Sequence, residues 1–90
     1  NGFPARGGRM GVPILYSQAG CAESARVRAW LADREVPFVE RNVTGDLEAA
    51  RELAATGVFA TPLLIVGRHR VLGFRPRELD AAVREGARDV

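Results

Sequence analysis

One cysteine stands in the chain, Cys21, inside the stretch YSQAGCAES at residues 16–24. A cysteine attacks only as its thiolate, and an unperturbed thiol ionises at about 8.5. A helix N-terminus presents unpaired N–H groups and about half a positive charge, and both favour the thiolate. Cys21 falls where an apolar run gives way to a helical pattern. It is therefore expected at such an N-terminus, partly exposed and nucleophilic, rather than buried as a small hydrophobe. Gly20 before it leaves room for an incoming sulfur. Ser24 lies one turn further on the same face, and its hydroxyl could donate to the thiolate. It cannot resolve a disulfide, because oxygen does not replace sulfur in exchange. Two neighbours pull the other way. Glu23 brings a carboxylate near the sulfur, which disfavours the thiolate, and Gln18 brings no positive charge.

The elements that must hold these residues follow from hydrophobic period and turn chemistry. Residues 12–16 (VPILY) are short, apolar and partly β-branched, as a buried strand requires. Residues 17–20 form a polar turn. A helix is expected over 21–35, with Val27 and Leu31 buried and Ala22, Ala25, Ala29 and Ala32 as small contacts, closed by Pro37. A second strand follows at 38–43, then a turn at 44–46 in which Thr44 or Asp46 caps a helix over 47–56. Leu47, Ala50, Leu53 and Ala54 form the expected apolar stripe of that helix, and Gly57 suits its C-terminal end. Residues 62–66 (PLLIV) are continuously apolar, which points to a central strand. A hairpin turn at 67–70 leads into a short strand at 71–72. Pro76 fits the first turn of a last helix over 77–86 that buries Leu79, Ala82 and Val83. The order β-α-β-α-β-β-α implies an α/β mixed four-stranded sheet with three helices. The first two strands should be parallel with a right-handed crossover, and the last two antiparallel.

Composition narrows the functions. The 90 residues suit a single domain, with 47% hydrophobic and 27% charged residues in a globular balance. Residues 1–11, rich in Gly, Pro and Arg, are expected to form a flexible tail before a domain over 12–90, with Met10 as a natural start. The formal net charge is only +2, and the arginines are scattered, which speaks against nucleic-acid binding. No apolar run approaches the roughly 20 residues that span a bilayer, and no secretory h-region is visible. A lone cysteine rules out an internal disulfide framework, and one Cys with one His does not make a structural zinc site. No metal is expected, and a cytoplasmic, reducing setting is. His69 sits in a charged turn and receives no base role. Trp30 and Phe38 read as core, and Arg51 or Arg75 could pair with a carboxylate.

Three motifs in this order resemble the glutaredoxins of the thioredoxin superfamily, over residues 12–87. YSQAGCAES is similar to the glutaredoxin pattern Tyr-Ser-Lys-x-x-Cys-x-x-Cys/Ser. ATPLLIVG resembles the segment that holds the family's cis-proline, which would be Pro62. LGFRPREL resembles the Gly-Phe-Arg-Pro segment of the glutaredoxin-like electron donors of ribonucleotide reductase. The resemblance implies Cys21 and Ser24 as the catalytic pair. It implies a substrate groove of Tyr16, Gln18, Thr61, Pro62, Gly73 and Phe74, in which the Thr61 backbone pairs with an extended peptide such as glutathione. The chain departs from the pattern at Ser24, where dithiol members carry a second cysteine, and at Gln18, where lysine is usual. Cys21 is therefore expected to be less acidic than in typical glutaredoxins.

The implied function is monothiol thiol–disulfide exchange. Cys21 would act on mixed disulfides of proteins with glutathione or a similar small thiol, the small thiol being a co-substrate and no cofactor being bound covalently. The partners are then small thiols and thiol/disulfide proteins, and a monomer is expected. One rival is a [2Fe–2S] protein, with one cysteine per chain plus glutathione across a dimer. It is weakened because the Cys-Gly-Phe-Ser and Trp-Pro-Thr motifs of that group are absent. The other is a thioredoxin-fold interaction module with little redox activity, which Gln18 and Glu23 favour.

Overall fold

Alternation along the strands splits the core in two, since successive side chains leave a strand on opposite faces. The computed structural model describes residues 12–86, so the tail expected over 1–11, with Met10, lies outside the described residues. The elements are β1 (Ile14–Ser17), α1 (Ala22–Asp33), β2 (Val39–Asn42), α2 (Leu47–Ala55), β3 (Leu63–Val66), β4 (His69–Leu72) and α3 (Pro76–Gly86). The sheet runs β2-β1-β3-β4. β1 pairs parallel with β2 and antiparallel with β3, and β3 pairs antiparallel with β4. The expected order, the mixed sheet and the central place of β3 are all present.

Leu15, Leu64, Val66 and Val71 send their side chains to one face, where Val27, Trp30 and Leu31 of α1 and Leu79 and Ala82 of α3 complete the larger core. Phe38 and Phe74 pack against its edge. Tyr16 and Leu63 point to the other face and meet Leu53 of α2, with Ile14 and Ile65 beside them. β2 carries the same alternation in charge. Glu40 takes both Nε and Nη2 of Arg28 on α1, the closest contact being 2.6 Å, and accepts the Ser17 hydroxyl at 2.6 Å. Arg41, on the opposite face, donates to both carboxylate oxygens of Glu52 on α2, at 2.9 and 2.7 Å. α1 and α2 are thus each fastened to the edge strand β2 by a two-point ion pair as well as by an apolar face.

Several expectations are corrected in detail. The expected alanine contacts of α1 (Ala22, Ala25, Ala29 and Ala32) are exposed, and the buried stripe is Ser24, Val27, Trp30 and Leu31. In α2, Ala49 is buried with Leu53, while Leu47 is 66% exposed. Asp46 rather than Thr44 caps this helix, accepting from the Ala49 N–H at 3.1 Å. β4 begins at His69, so the hairpin turn is only Gly67-Arg68. α1 stops before Pro37. The Glu35 N–H donates to the Ala32 carbonyl and the Val36 N–H to the Leu31 carbonyl, with Glu35 left-handed at φ 56°. That is the Schellman ending, normally given to glycine.

Two substitutions measure these local demands. A left-handed non-glycine residue costs about 1–2 kcal/mol, and the extra freedom of glycine in the unfolded chain returns roughly 0.5–1 kcal/mol of that. Glu35→Gly should therefore raise stability by up to about 1 kcal/mol, read as a higher urea midpoint at unchanged slope. Gly86 is buried against β3, and a Cβ there would collide with the Val66 carbonyl oxygen. Gly86→Ala should lower stability by about 1–3 kcal/mol in the same titration, as overpacking does.

Candidate active site

β1 delivers the chain to the cysteine through one tight turn. The Cys21 N–H donates to the Gln18 carbonyl at 3.1 Å, and Gly20 between them is left-handed at φ 76°. That conformation at the third turn position is the one glycine adopts without steric cost. Thr44 braces the turn from the loop after β2, its Oγ1 accepting the Ala19 N–H at 2.9 Å. Cys21 then takes extended backbone angles (φ −87°, ψ 109°) as the N-cap of α1, and its carbonyl accepts the Ala25 N–H at 3.2 Å. Its Sγ accepts the Ser24 N–H at 3.4 Å. A sulfur thus fills the role usually played by a Ser, Thr or Asp oxygen at a helix start. The side chain is partly exposed, so this is not a buried structural cysteine.

The surroundings hold the Cys21 thiol below its ordinary pKa. The Ser24 hydroxyl is the largest influence, followed by the Ser24 N–H; burial opposes them, and the Thr61 hydroxyl and the Glu23 N–H add smaller effects in the lowering direction. Ser24 is fully buried, and its Oγ has no hydrogen-bond partner in the structure. An unpaired buried hydroxyl costs about 1–3 kcal/mol. A thiolate is a stronger acceptor than a thiol, and a hydroxyl that donates to the charged form favours that form, which accounts for its leading effect.

Other predicted residues gather on the open side of the sulfur. Thr61 Oγ1 lies 3.8 Å from Cys21 Sγ and 3.3 Å from Gln18 Oε1. It has one proton, so the amide oxygen and the sulfur compete for it. The Thr61–Pro62 peptide bond is cis. Pro62 in turn receives the Gly73 N–H on its carbonyl at 2.8 Å, which draws the Gly73-Phe74 turn to the same groove. The Phe74 ring packs on the larger core, and its N–H donates to Glu23 Oε2 at 2.7 Å.

Two sequence expectations change here. Glu23 does not act on the sulfur through its carboxylate, which is engaged with Phe74; its N–H is what bears on Cys21, in the lowering direction. Tyr16 is not brought to the groove. Period-two alternation turns it to the smaller core, where its hydroxyl donates to Glu52 Oε1 at 3.3 Å. Burial first, and Glu52 second, push its phenol pKa up. Thr44, read only as a possible helix cap, is the residue that sequence reasoning missed. Its partner lies 25 positions away, and no local pattern announces such a bond. Among the described residues no group of three or more His, Cys, Asp or Glu is placed to hold a metal ion, and no helix is long and apolar enough to cross a membrane.

Comparison with known proteins agrees with this geometry. A family model described as glutaredoxin matches residues 5–71. The glutaredoxin-like protein NrdH of Lactococcus lactis subsp. cremoris is 31% identical over 65 residues, covering 72% of this chain and 90% of that protein. Among solved structures, the thioredoxin-like protein BC3987 superimposes with a TM-score of 0.73 at 24% identity, over 78% of this chain and 97% of that one. The glutaredoxin of Archaeoglobus fulgidus does so with a TM-score of 0.73 at 20% identity, over 83% of this chain and 88% of that one. These two likenesses establish the thioredoxin/glutaredoxin fold.

The rate of alkylation by iodoacetamide against pH should therefore show Cys21 ionising below the range of a cysteine in an unstructured peptide. Ser24→Ala should move the inflection upward, and Thr61→Val should move it upward by less. Linkage gives the matching stability effect, with this sign. A depressed folded-state pKa stabilises the fold above the unfolded thiol's pKa, and that contribution is lost as pH falls through the folded value. Urea midpoints of wild type and Ser24→Ala should accordingly diverge in favour of wild type as pH rises.

Proposed function

This chain belongs to the glutaredoxin family of thiol–disulfide oxidoreductases, and from that premise we propose that Cys21 performs the exchange as a monothiol. The observation that carries the proposal is the sulfur itself: a partly exposed thiol capping a helix, with donors that favour its thiolate and Ser24 at the position of a second cysteine.

The Cys21 thiolate attacks one sulfur of a mixed disulfide between a protein and a small thiol. A new bond forms between Cys21 and the small thiol's sulfur, the old disulfide breaks, and the protein leaves as its thiolate. A second molecule of small thiol, as thiolate, then attacks the small-thiol sulfur of the adduct. Cys21 is released as thiolate, and the small thiol leaves as its own disulfide. Electrons balance across the cycle, with one disulfide reduced and one formed. Glutathione or a similar low-molecular-weight thiol fills the co-substrate role, and thiol/disulfide proteins are the other substrates.

The groove suits this chemistry in its parts. The Thr61 hydroxyl, 3.8 Å from Sγ, is placed to donate to the charged sulfur of Cys21. Thr61 and Pro62 on one side and Gly73 and Phe74 on the other flank the approach, with Gln18 at the near end. Ser24 offers an oxygen, which does not replace sulfur in exchange, so the second nucleophile must arrive from solvent.

Mass spectrometry after incubation with excess 2-hydroxyethyl disulfide tests the proposal. The expected product is a single adduct at Cys21 that persists until free thiol is added. Cys21→Ser should give none. An unmodified wild-type protein, or turnover of mixed disulfides that survives Cys21→Ser, would overturn it.

A further inference from the structure

We propose that Glu23 sets the charge of the thiol Cys21 accepts, against small thiols that carry carboxylates and toward neutral or cationic ones. The inference rests on the exchange reading above and specifies its co-substrate.

Glu23 occupies the wall of the groove in a defined way. Its Oε2 accepts the Phe74 N–H at 2.7 Å. Gly73, next to that N–H, is left-handed at φ 88°, and a Cβ there would lie 2.8 Å from the same carboxylate oxygen. Glycine at 73 is thus what lets the carboxylate settle on the turn. The turn is itself tied to Pro62 by the Gly73 N–H, and Pro62 follows Thr61, whose hydroxyl reaches Sγ. The carboxylate is therefore one short run of chain from the reacting sulfur.

Two consequences follow from elementary electrostatics. A backbone N–H beside a thiol groove is a natural donor to a ligand carboxylate, and here it is already taken by the protein's own. A like charge in a shared site is also disfavoured. The Gln18 side of the groove is uncharged, its amide oxygen facing Thr61, and the exposed Arg75 follows Phe74 in the chain. Arg28 and Arg41, on the neighbouring elements, are engaged with Glu40 and Glu52. A thiol such as glutathione, with two carboxylates and one ammonium, meets a filled donor and an added negative charge. A thiol ending in an ammonium or a hydroxyl does not.

The test compares second-order rate constants of the reduced protein with two disulfides of opposite charge, glutathione disulfide and cystamine, each followed by adduct mass. Glu23→Gln keeps an oxygen that can accept from Phe74 but removes the charge, and Glu23→Ala also vacates the N–H. In wild type, cystamine should react faster. In both variants the ratio of glutathione disulfide to cystamine should rise about fivefold or more, as expected for removal of a like charge at close range. In wild type, added salt should raise the ratio, because screening weakens exposed charges. A purely structural role for Glu23 would move both rates together and leave the ratio fixed. A ratio that stays fixed in both variants, while Cys21 still reacts with cystamine, overturns the inference and spares the exchange reading. A Cys21 that reacts with neither disulfide overturns both.

Discussion

A sulfur atom stands where a helix needs an acceptor. The first N–H groups of α1 have no partners within the helix, and Cys21 Sγ takes the one from Ser24. This single contact fixes the side chain's direction, brings it close to the positive end of the helix and keeps one side of the sulfur open. Everything that lowers the thiol's pKa from within the helix depends on it, since the Ser24 hydroxyl and the Glu23 N–H belong to the same first turn. The β1 strand, the Gly20 turn and the Thr44 brace form the apparatus that delivers a cysteine, rather than a serine or an aspartate, to that cap.

Holding α1 in place is mainly the work of apolar burial. Leu15, Val27, Leu31, Leu64 and Leu79 are essentially inaccessible to solvent, and each such side chain contributes about 1.5–3 kcal/mol. The ion pairs of Arg28 with Glu40 and of Arg41 with Glu52 are partly exposed, where pairs of this kind contribute roughly 0–1 kcal/mol. Their value lies in geometry. Arg28 and Ser17 converge on Glu40 from the two sides of the Cys21 turn, one from the helix that leaves it and one from the strand that enters it. The Arg28 guanidinium, and secondarily the Ser17 hydroxyl, hold the Glu40 carboxyl below the usual range against the opposing effect of burial. The carboxylate is thus charged, and the clamp closed, at neutral pH.

The element order is legible in the sequence because it rests on local signals. Apolar strands, Gly and Pro punctuation and the Cys21 junction each occupy a few consecutive residues. The buried faces of the helices are less legible. Alanines at helical spacing in α1 fit a stripe, yet the large side chain of Trp30 decides which way the helix turns, and those alanines are exposed. Leu47 departs from its expected stripe for a related reason: at the first turn of α2 it extends past the edge of the smaller core, and Ala49 is the residue that fits beneath. Resemblance assigns Tyr16 to the groove, although alternation between Leu15 and Ser17 already turns it to the opposite face. The bonds that define the groove wall join residues 40 and 51 positions apart, Thr61 to Cys21 and Phe74 to Glu23. No window of the sequence contains both partners.

Ser24 gives the monothiol reading its physical basis through the chemistry of oxygen. An internal thiol one turn from Cys21 would resolve a mixed disulfide by attacking Cys21 Sγ, expelling the outer sulfur as thiolate and leaving an intramolecular disulfide. Ser24, fully buried in the first turn of α1, brings a hydroxyl that cannot take that role. What Ser24 does is tune the Cys21 sulfur, since its hydroxyl is the largest influence holding that thiol's pKa down. A hydroxyl is well suited to that role. It donates to a thiolate and does not compete with it as a nucleophile in exchange. The same residue that removes internal resolution therefore activates the cysteine that remains.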